Sequence, residues 1–514
     1  MYSHRKVLGR ATLPTVVLLV LSLTAAACSS DKETTATTAA ATPATTATTT
    51  AATTASTAAS DDTTADTTEA TTEETTEGST EETTEATTEG STGETTEATT
   101  EATTEATTEE TTEETTADTV ALEFTAADGD VRGFDGTTIK VAGIGIKSQL
   151  PGVETGVKAR VKRFNESNEV PGVKIDYTEF IDDKMDSAFT LSEMRRLVTD
   201  VQVFAIVGDV SRNNPGDYMA EQHLPYFGWG FDNTYCSQEP NPETWAFGYN
   251  GCLVPAAPTS MPDPTTRLIK YIREVTGKDA PTIALISGDN PSGKDTVKFQ
   301  ASAFAGAGFN VIFHEGSIPP PPVSDYTPYV QEMLVSDDGH APDMIFCLAA
   351  VDCIPIYALL TASGFTGVYL HNIYSDALLA PMKGSVVSIP YHAFNEDTPG
   401  VAALKADVAA LDSAAVIDSG VATGYMTADM FIQALTTVAA EGTEYITPEN
   451  VRLAAANQTW EIEGFAGPTK YPDSTVNGTP YCNSYALDNG EEWETVVPYD
   501  CSEHKWPILP EFED

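Results

Sequence analysis

Two acidic motifs are the residues of this chain whose types and spacing best suit catalysis or metal binding. Asp182-Asp183 is a carboxylate pair that could act in acid–base catalysis or bind a metal, although solvated loop acids are far commoner. Asp128-Gly-Asp130 is a fragment of a calcium loop whose other ligands are missing. The seven His are scattered, and no nucleophile elbow, H-E-x-x-H motif or phosphate loop occurs. The sequence therefore favours binding without a cofactor over catalysis.

Six cysteines follow Cys28, and their even number favours disulfides in an exported chain. Six cysteines allow 15 pairings, of which we predict the sequence-local set. A zinc site is the alternative, but no C-x-x-C pair and no His at ligand spacing supports it. The predicted pairs are Cys236–Cys252, Cys347–Cys353 and Cys482–Cys501.

The elements that must position these residues begin near Asp135. Apolar runs at 138–143, 173–177 and 203–207 predict strands, and apolar residues at helical spacing lie between them. This order predicts right-handed crossovers and a parallel sheet. In such sheets, ligands bind beyond the carboxyl ends of the strands.

The same pattern restarts after a Pro-rich break at residues 255–264. A helix is predicted to start at Thr327-Pro328, with Thr as the N-cap and Pro in the first position. A long helix at 424–440 and a late region rich in Tyr and Cys close the chain. The predicted strands of this second unit are 282–286, 310–313, 344–348 and 368–371, and its other helices are 268–275 and 293–308.

The N-terminus predicts export. A positively charged segment precedes an apolar run at residues 16–23, which is too short for a comfortable membrane span. Small residues then lead to Cys28. We predict a signal peptide over residues 1–27 and a lipid on Cys28 that anchors the protein outside the cytoplasm. The Ala-x-Ala before Cys28 also suits ordinary signal cleavage, which would free the protein.

A long acidic segment follows. Residues 29–118 contain 22 Asp and Glu against one Lys, and no aromatic residue, Ile, Leu or Val. With so little apolar surface to offset chain entropy, we predict a disordered stalk extended by its own charge over residues 28–134. Binding through its repeats is the alternative. The whole chain carries a net charge of −49, which argues against nucleic acid as a partner.

From about Asp135 onward, the chain resembles the type 1 periplasmic binding proteins of ABC importers, in the branched-chain amino acid and amide group. The resemblance implies an α/β fold of two Rossmann-like parallel-sheet lobes, joined by three crossing segments and closing on a small solute. It also implies an ABC permease as partner, and no catalysis. The matching segments are Ile139–Gly143, Gly172–Ile175, Asp182-Asp183, Leu197-Val198, Ala205–Gly208, Ile283–Ile286, Gly293, Phe304–Gly308, Asp325–Gln331, Gly424-Tyr425 and Ala434-Leu435.

The resemblance also implies positions for ligand contacts, each with an alternative. Relatives that bind amino acids hold the α-carboxylate after the third strand, where this chain has Ser211; a helix cap is its other role. Trp229 and Phe231 would line the cleft or lie in the core. Asp376 would pair with a ligand ammonium or cap a helix. The candidate ligand-binding residues are Gln149, Ser211, Arg212, Trp229, Phe231, Tyr249, Asn290, Tyr374 and Asp376.

The predicted function is an extracytoplasmic, lipid-anchored substrate-binding protein that delivers an amino acid or amide-like solute to a permease. Asn290-Pro-Ser-Gly293 replaces the Tyr-Gly common in relatives, so that aromatic side chain is lost. The ligand identity therefore stays open among a branched-chain or aromatic amino acid, an amide or urea-like solute, and an aromatic acid. A surface sensor or interaction protein with the same fold is the alternative, and the long stalk favours it. The predicted domains are 1–27 signal peptide, 28–134 lipidated Cys and stalk, 135–257 first lobe with part of 386–514, 258–385 second lobe, and 386–514 crossover segments and completion of the lobes.

Overall fold

The computed structural model describes residues 122–255, 258–320, 322–478 and 480–512. The predicted signal peptide, Cys28 and the stalk up to residue 121 lie outside these ranges. The strands are β1 (Thr138–Gly145), β2 (Lys174–Asp182), β3 (Ala205–Val210), β4 (Tyr226–Gly228), β5 (Ala246–Gly248), β6 (Ser260–Pro262), β7 (Thr282–Gly288), β8 (Asn310–Ile318), β9 (Met344–Cys347), β10 (Val368–His371), β11 (Val386–Ile389), β12 (Thr459–Ile462), β13 (Ala466–Lys470), β14 (Tyr481–Asp488), β15 (Trp493–Ser502) and β16 (Lys505–Pro507). The α-helices are α1 (Val153–Ser167), α2 (Ser187–Arg196), α3 (Gly216–Glu221), α4 (Thr265–Thr276), α5 (Pro291–Ala307), α6 (Thr327–Leu334), α7 (Cys353–Ala362), α8 (Pro399–Leu411), α9 (Ser419–Ala439) and α10 (Pro448–Ala455).

The first lobe is built on a parallel sheet of order β2-β1-β3-β4-β5. Every residue of β3 is buried, as expected for a central parallel strand covered on both faces. The three strands predicted here are confirmed, and each runs further towards its carboxyl end than predicted. Helices α1 and α9 pack so closely that a side chain would not fit at two glycines. A Cβ on Gly156 would overlap the Val421 carbonyl, and a Cβ on Gly424 would overlap the Val153 carbonyl.

The second lobe repeats this topology. Its sheet has the order β15-β14-β11-β10-β9-β7-β8, in which β11, β10, β9, β7 and β8 are parallel. The hairpin of β14 and β15 joins antiparallel to β11 and accounts for the late Tyr- and Cys-rich region. Helix α6 begins at Thr327 as predicted, but Tyr326 rather than Thr327 occupies its N-cap position.

The chain passes between the two sheets in three segments of the described structure. The first follows β5 and leads to α4, the second leaves β11 for α8, and the third leaves β13 for β14. Helices α8 and α9 pack on α1, so they complete the first lobe although they follow the second lobe in sequence. This architecture confirms the predicted fold class of two parallel-sheet lobes joined by three crossing segments.

The start of the described chain packs on the first lobe. The guanidinium of Arg132 donates to the carbonyls of Val203, Gln222 and His223 at 2.5–2.9 Å. The backbone N–H of Ala127 donates to the Glu444 carbonyl at 2.8 Å. Residues 122–134 were predicted to belong to the stalk, but these hydrogen bonds attach them to the first lobe.

Candidate functional site

Two adjoining cavities lie between the lobes, beyond the carboxyl ends of both parallel sheets. The first has a volume of about 190 Å³ and the second about 230 Å³. Four residues line both cavities: Leu150, Trp229, Asn372 and Ser419. In the first-lobe sheet, the chain leaves β1 towards β2 and leaves β3 towards β4, in opposite directions. The cavities lie at this change of direction, which is the place where open α/β sheets bind ligands.

The first-lobe wall depends on a bulge in β3. Gly208 has a φ of +89°, and the pairing of β3 with both neighbours shifts register beside it. A glycine accommodates this backbone without strain, and a bulge changes the direction of the side chains that follow. Beyond the strand, Ser211 is completely buried while Arg212 lines the second cavity.

Arg212 is the cation of the site. Its guanidinium lies 4.7 Å from the centre of the Phe231 ring and 5.7 Å from that of Trp229, both within cation–π range. One of its terminal nitrogens donates to Gln149 Oε1 at 3.3 Å, while its Nε is buried without a partner. Burial lowers the pKa of Arg212 to about 10, against the opposing effect of Asp183, so the group stays charged at neutral pH.

Arg212 has no carboxylate within ion-pair distance among the described residues. Asp183 favours its charged form, but the pair is not in contact. Of the residues that line the two cavities, the other charged side chain is Asp418, whose Oδ1 caps α9 by accepting from Val421 N at 2.9 Å. A partly buried cation with an unused donor is costly unless a further acceptor satisfies it.

Aromatic residues contribute a large part of the cavity lining. Trp229 lines both cavities, and its indole Nε1 is a second buried donor without a partner. Phe231 and Tyr249 line the first cavity, where the Tyr249 hydroxyl pairs with Thr423 Oγ1 at 3.0 Å. The first cavity therefore has a predominantly apolar lining, to which Leu253, Met261, Phe346, Leu348 and Tyr391 also contribute.

The second lobe contributes the loops after β9 and β10. The Cys347–Cys353 disulfide closes the loop whose residues Leu348 and Ala350 line the cavities. After β10, the backbone of Tyr374 exchanges hydrogen bonds with Ser419 at the start of α9. The two lobes therefore touch directly beside the second cavity.

Comparisons with known proteins agree with this architecture. A family model described as periplasmic binding protein matches residues 142–487, about two thirds of the chain. This chain belongs to the periplasmic binding protein family. No curated protein sequence matches it.

Solved structures of the family show the same fold at low identity. A fatty acid ABC transporter substrate-binding protein from Thermomonospora curvata matches with a TM-score of 0.56 at 16% identity, over 74% of this chain and 97% of that one. A branched-chain amino acid ABC transporter protein from Thermus thermophilus with bound valine gives 0.53 at 17%, over 71% and 96%. A possible leucine/isoleucine/valine-binding protein from Rhodopirellula baltica SH 1 gives 0.54 at 14%, over 72% and 98%.

The structure brings six of the candidate ligand-binding residues to the cavities. They are Gln149, Arg212, Trp229, Phe231, Tyr249 and Tyr374. The Tyr374 hydroxyl nevertheless has a structural partner, since it accepts a hydrogen bond from Phe394 N at 2.9 Å.

Three candidates lie elsewhere. Ser211 Oγ donates to Asp183 Oδ2 at 2.7 Å inside the first lobe. Asn290 caps α5 by accepting from Gly293 N at 2.8 Å, and Asp376 is exposed in a short turn after Ser375. None of the three lines either cavity: Ser211 bonds a buried neighbour, Asn290 caps a helix, and Asp376 faces solvent.

The two acidic motifs do not line the cavities. Asp183 is completely buried and accepts from Ser211 and from Met185 N, while Asp182 is exposed. Asp128 and Asp130 are exposed. No group of three or more potential metal ligands occurs in the described residues.

The three disulfides join the cysteines in the predicted sequence-local pairs. Among the helices that the structure describes, none has the length and apolar character needed to cross a bilayer.

Sequence reasoning missed most of the polar residues of the cavities, of which Asn372, Ser419 and Thr296 are examples. Asn372 directly follows β10 and is exposed to both cavities, and Ser419 lies at the start of α9. Thr296 on α5 has a buried hydroxyl without a partner. Asn372 could have been predicted from the sequence, because the residue that follows a parallel strand lies at the ligand-binding edge of the sheet.

Proposed function

We propose that this protein is the extracytoplasmic receptor of an ABC importer and that it binds a small solute between its lobes. The observation that carries the proposal is Arg212, a charged side chain with an unused buried donor, placed beside an apolar cavity. Trp229 adds a second unused donor at the junction of the cavities. A solute with an acceptor group would satisfy both.

The proposed ligand contacts are the residues of the two cavities. Arg212 and Trp229 bind the polar group of the solute, and Gln149 orients the guanidinium. Phe231 and Tyr249 provide apolar contact area. Closure of the lobes on the solute shifts the open–closed equilibrium, which gives a permease a form to recognise. Two proteins of similar fold, a fatty acid ABC transporter substrate-binding protein and a branched-chain amino acid ABC transporter protein with bound valine, support a small solute here.

A binding screen tests the receptor role. Purified protein is mixed with amino acids, amides, and aliphatic and aromatic carboxylic acids, and thermal unfolding is followed. A solute at 100 times its Kd should stabilise the folded state by about 2.7 kcal/mol. The Trp229→Phe variant should also lose part of the change in tryptophan emission on binding. If no solute in the screen raises the unfolding temperature, the receptor proposal fails.

Delivery and anchoring need separate tests in the native cell. We propose that residues 1–27 direct export, that a lipid on Cys28 anchors the chain, and that the acidic segment acts as a spacer. The Cys28→Ala variant should leave the membrane fraction and lose labelling by a fatty-acid analogue. Deletion of the gene should abolish uptake of the bound solute. Binding with normal uptake in the deletion strain would instead favour a surface sensor.

A further inference from the structure

The charges around the cavities carry information about the ligand class, and the inference rests on the proposed receptor function. We infer that the ligand is a monoanionic carboxylic acid with an aromatic or branched apolar body and without an ammonium group. The carboxylate would lie at Arg212, and the apolar body would extend past Trp229 into the first cavity.

The polar end of this arrangement is cationic. Arg212 uses one donor on Gln149 Oε1, while its Nε has no partner. The Trp229 indole N–H is likewise unpaired, and the exposed Asn372 faces the cavities from the other lobe. A planar carboxylate accepts several such bonds, and bonds from a guanidinium to a carboxylate are among the stronger ones in proteins.

The apolar end has no charged lining residue. The first cavity is lined mainly by aromatic, aliphatic and proline residues, and its polar side chains are uncharged. Its volume of about 190 Å³ exceeds the roughly 150 Å³ of a dry cavity that accepts benzene. A phenyl ring or a branched alkyl chain would therefore fit.

A partner for an ammonium is not provided. Asp376, the acid expected to pair with it, is exposed and lines neither cavity. Asp418 does line the second cavity, but its Oδ1 is used to cap α9 by accepting from Val421 N at 2.9 Å. Burial also raises the pKa of Asp418, which disfavours its charged form. An α-amino acid would bring a charge for which these residues offer no dedicated carboxylate.

Matched solute pairs test the inference on the full protein by calorimetry. 3-Phenylpropanoate and L-phenylalanine differ by the ammonium group, as do 4-methylpentanoate and L-leucine. We expect each acid to bind at least 10-fold more tightly than its amino acid. 3-Phenylpropanamide, which lacks the negative charge, should bind at least 10-fold more weakly than the acid.

Variants identify the cation responsible. Arg212→Gln should weaken binding of 3-phenylpropanoate by about 10–100-fold, as expected for loss of a charged hydrogen bond, and change amide binding little. Arg195→Gln is the matched control, because Arg195 is an exposed arginine of the same lobe outside both cavities. Circular dichroism checks that both variants are folded.

The outcomes separate the inference from the receptor proposal. Tighter binding of the amino acids, or equal binding of acid and amide, would overturn the inference and leave the receptor role standing. Acid binding that is unchanged in Arg212→Gln would also overturn it. Failure of every acid, amide and amino acid to bind would overturn the receptor role and the inference together.

Discussion

Replacement of Ser211 by alanine distinguishes the two roles that this residue could have. In the structure its hydroxyl has no access to the cavities: it donates to Asp183 Oδ2 at 2.7 Å and accepts from Asn213 N at 3.1 Å. Asp183 is completely buried. The variant therefore leaves a buried carboxylate oxygen without that donor.

The size of the effect follows from this contact. A hydrogen bond to a charged group contributes roughly 1.5–3 kcal/mol, so Ser211→Ala should lower the free energy of unfolding by about that amount. Ligand affinity should change by less than about 3-fold, because no contact with the solute is removed. If the hydroxyl instead held a ligand carboxylate, affinity would fall at least about 10-fold.

Two measurements decide between these roles. Urea unfolding followed by circular dichroism gives the stability, and calorimetry with the tightest-binding solute of the screen gives the affinity. Ser363→Ala serves as the control, since Ser363 is exposed in the second lobe and lines neither cavity. A large loss of affinity with unchanged stability would refute the reasoning and place Ser211 in the site.

Three further predictions concern stability and the cavity wall. Burial raises the pKa of Asp209 to about 7 from an ordinary 3.8, so folding favours its protonated form and stability should fall as pH rises from about 4 to 7. Urea unfolding at pH 5 and pH 8 should show a smaller difference in Asp209→Asn, and an unchanged difference would contradict this. Arg160→Leu should lower the unfolding free energy by about 1.5–3 kcal/mol, because the buried Asp429 loses the charged donor Arg160 Nε at 2.7 Å and keeps Arg163 at 3.6 Å. In urea unfolding, removing both charges should cost less than the sum of the single variants, whereas simple additivity would show that the two charges are not coupled. Joint replacement of Cys347 and Cys353 by serine should lower stability by about 2 kcal/mol and weaken ligand binding, because the cavity loop between them is released. Unchanged ligand affinity, measured by calorimetry, would show that the loop does not shape the site.

The fold was predictable because its physical signals are local. A parallel strand buried on both faces needs a continuous apolar run, and such runs alternate with helical spacing along this chain. The disulfides were predictable for the same reason, since each joins cysteines no more than 19 residues apart. The attachment of residues 122–134 was not, because it depends on carbonyls near Val203 and Gln222 that only the folded lobe brings to Arg132.

The candidate site was predicted less well, because side-chain direction depends on geometry that a pattern does not contain. The loop after β10 shows this. Asp376 was expected to reach the ligand, but Ser375 accepts from Ala377 N and starts a turn that leaves Asp376 exposed. Asn372, which directly follows the strand, faces the cavities instead.

The loop after β3 has a larger consequence. Successive residues of an extended chain point in opposite directions, so a shift of one residue exchanges the buried and the cavity-facing side chains. The register shift at Gly208 is such a change, and beyond it Ser211 is buried while Arg212 lines the cavity. A hydroxyl in the cavity would suit the carboxylate of a zwitterion, with an acid elsewhere for the ammonium. A cation without an ion-pair partner suits a ligand that carries a net negative charge, so under the proposed function the register of β3 would favour an anion over a zwitterion.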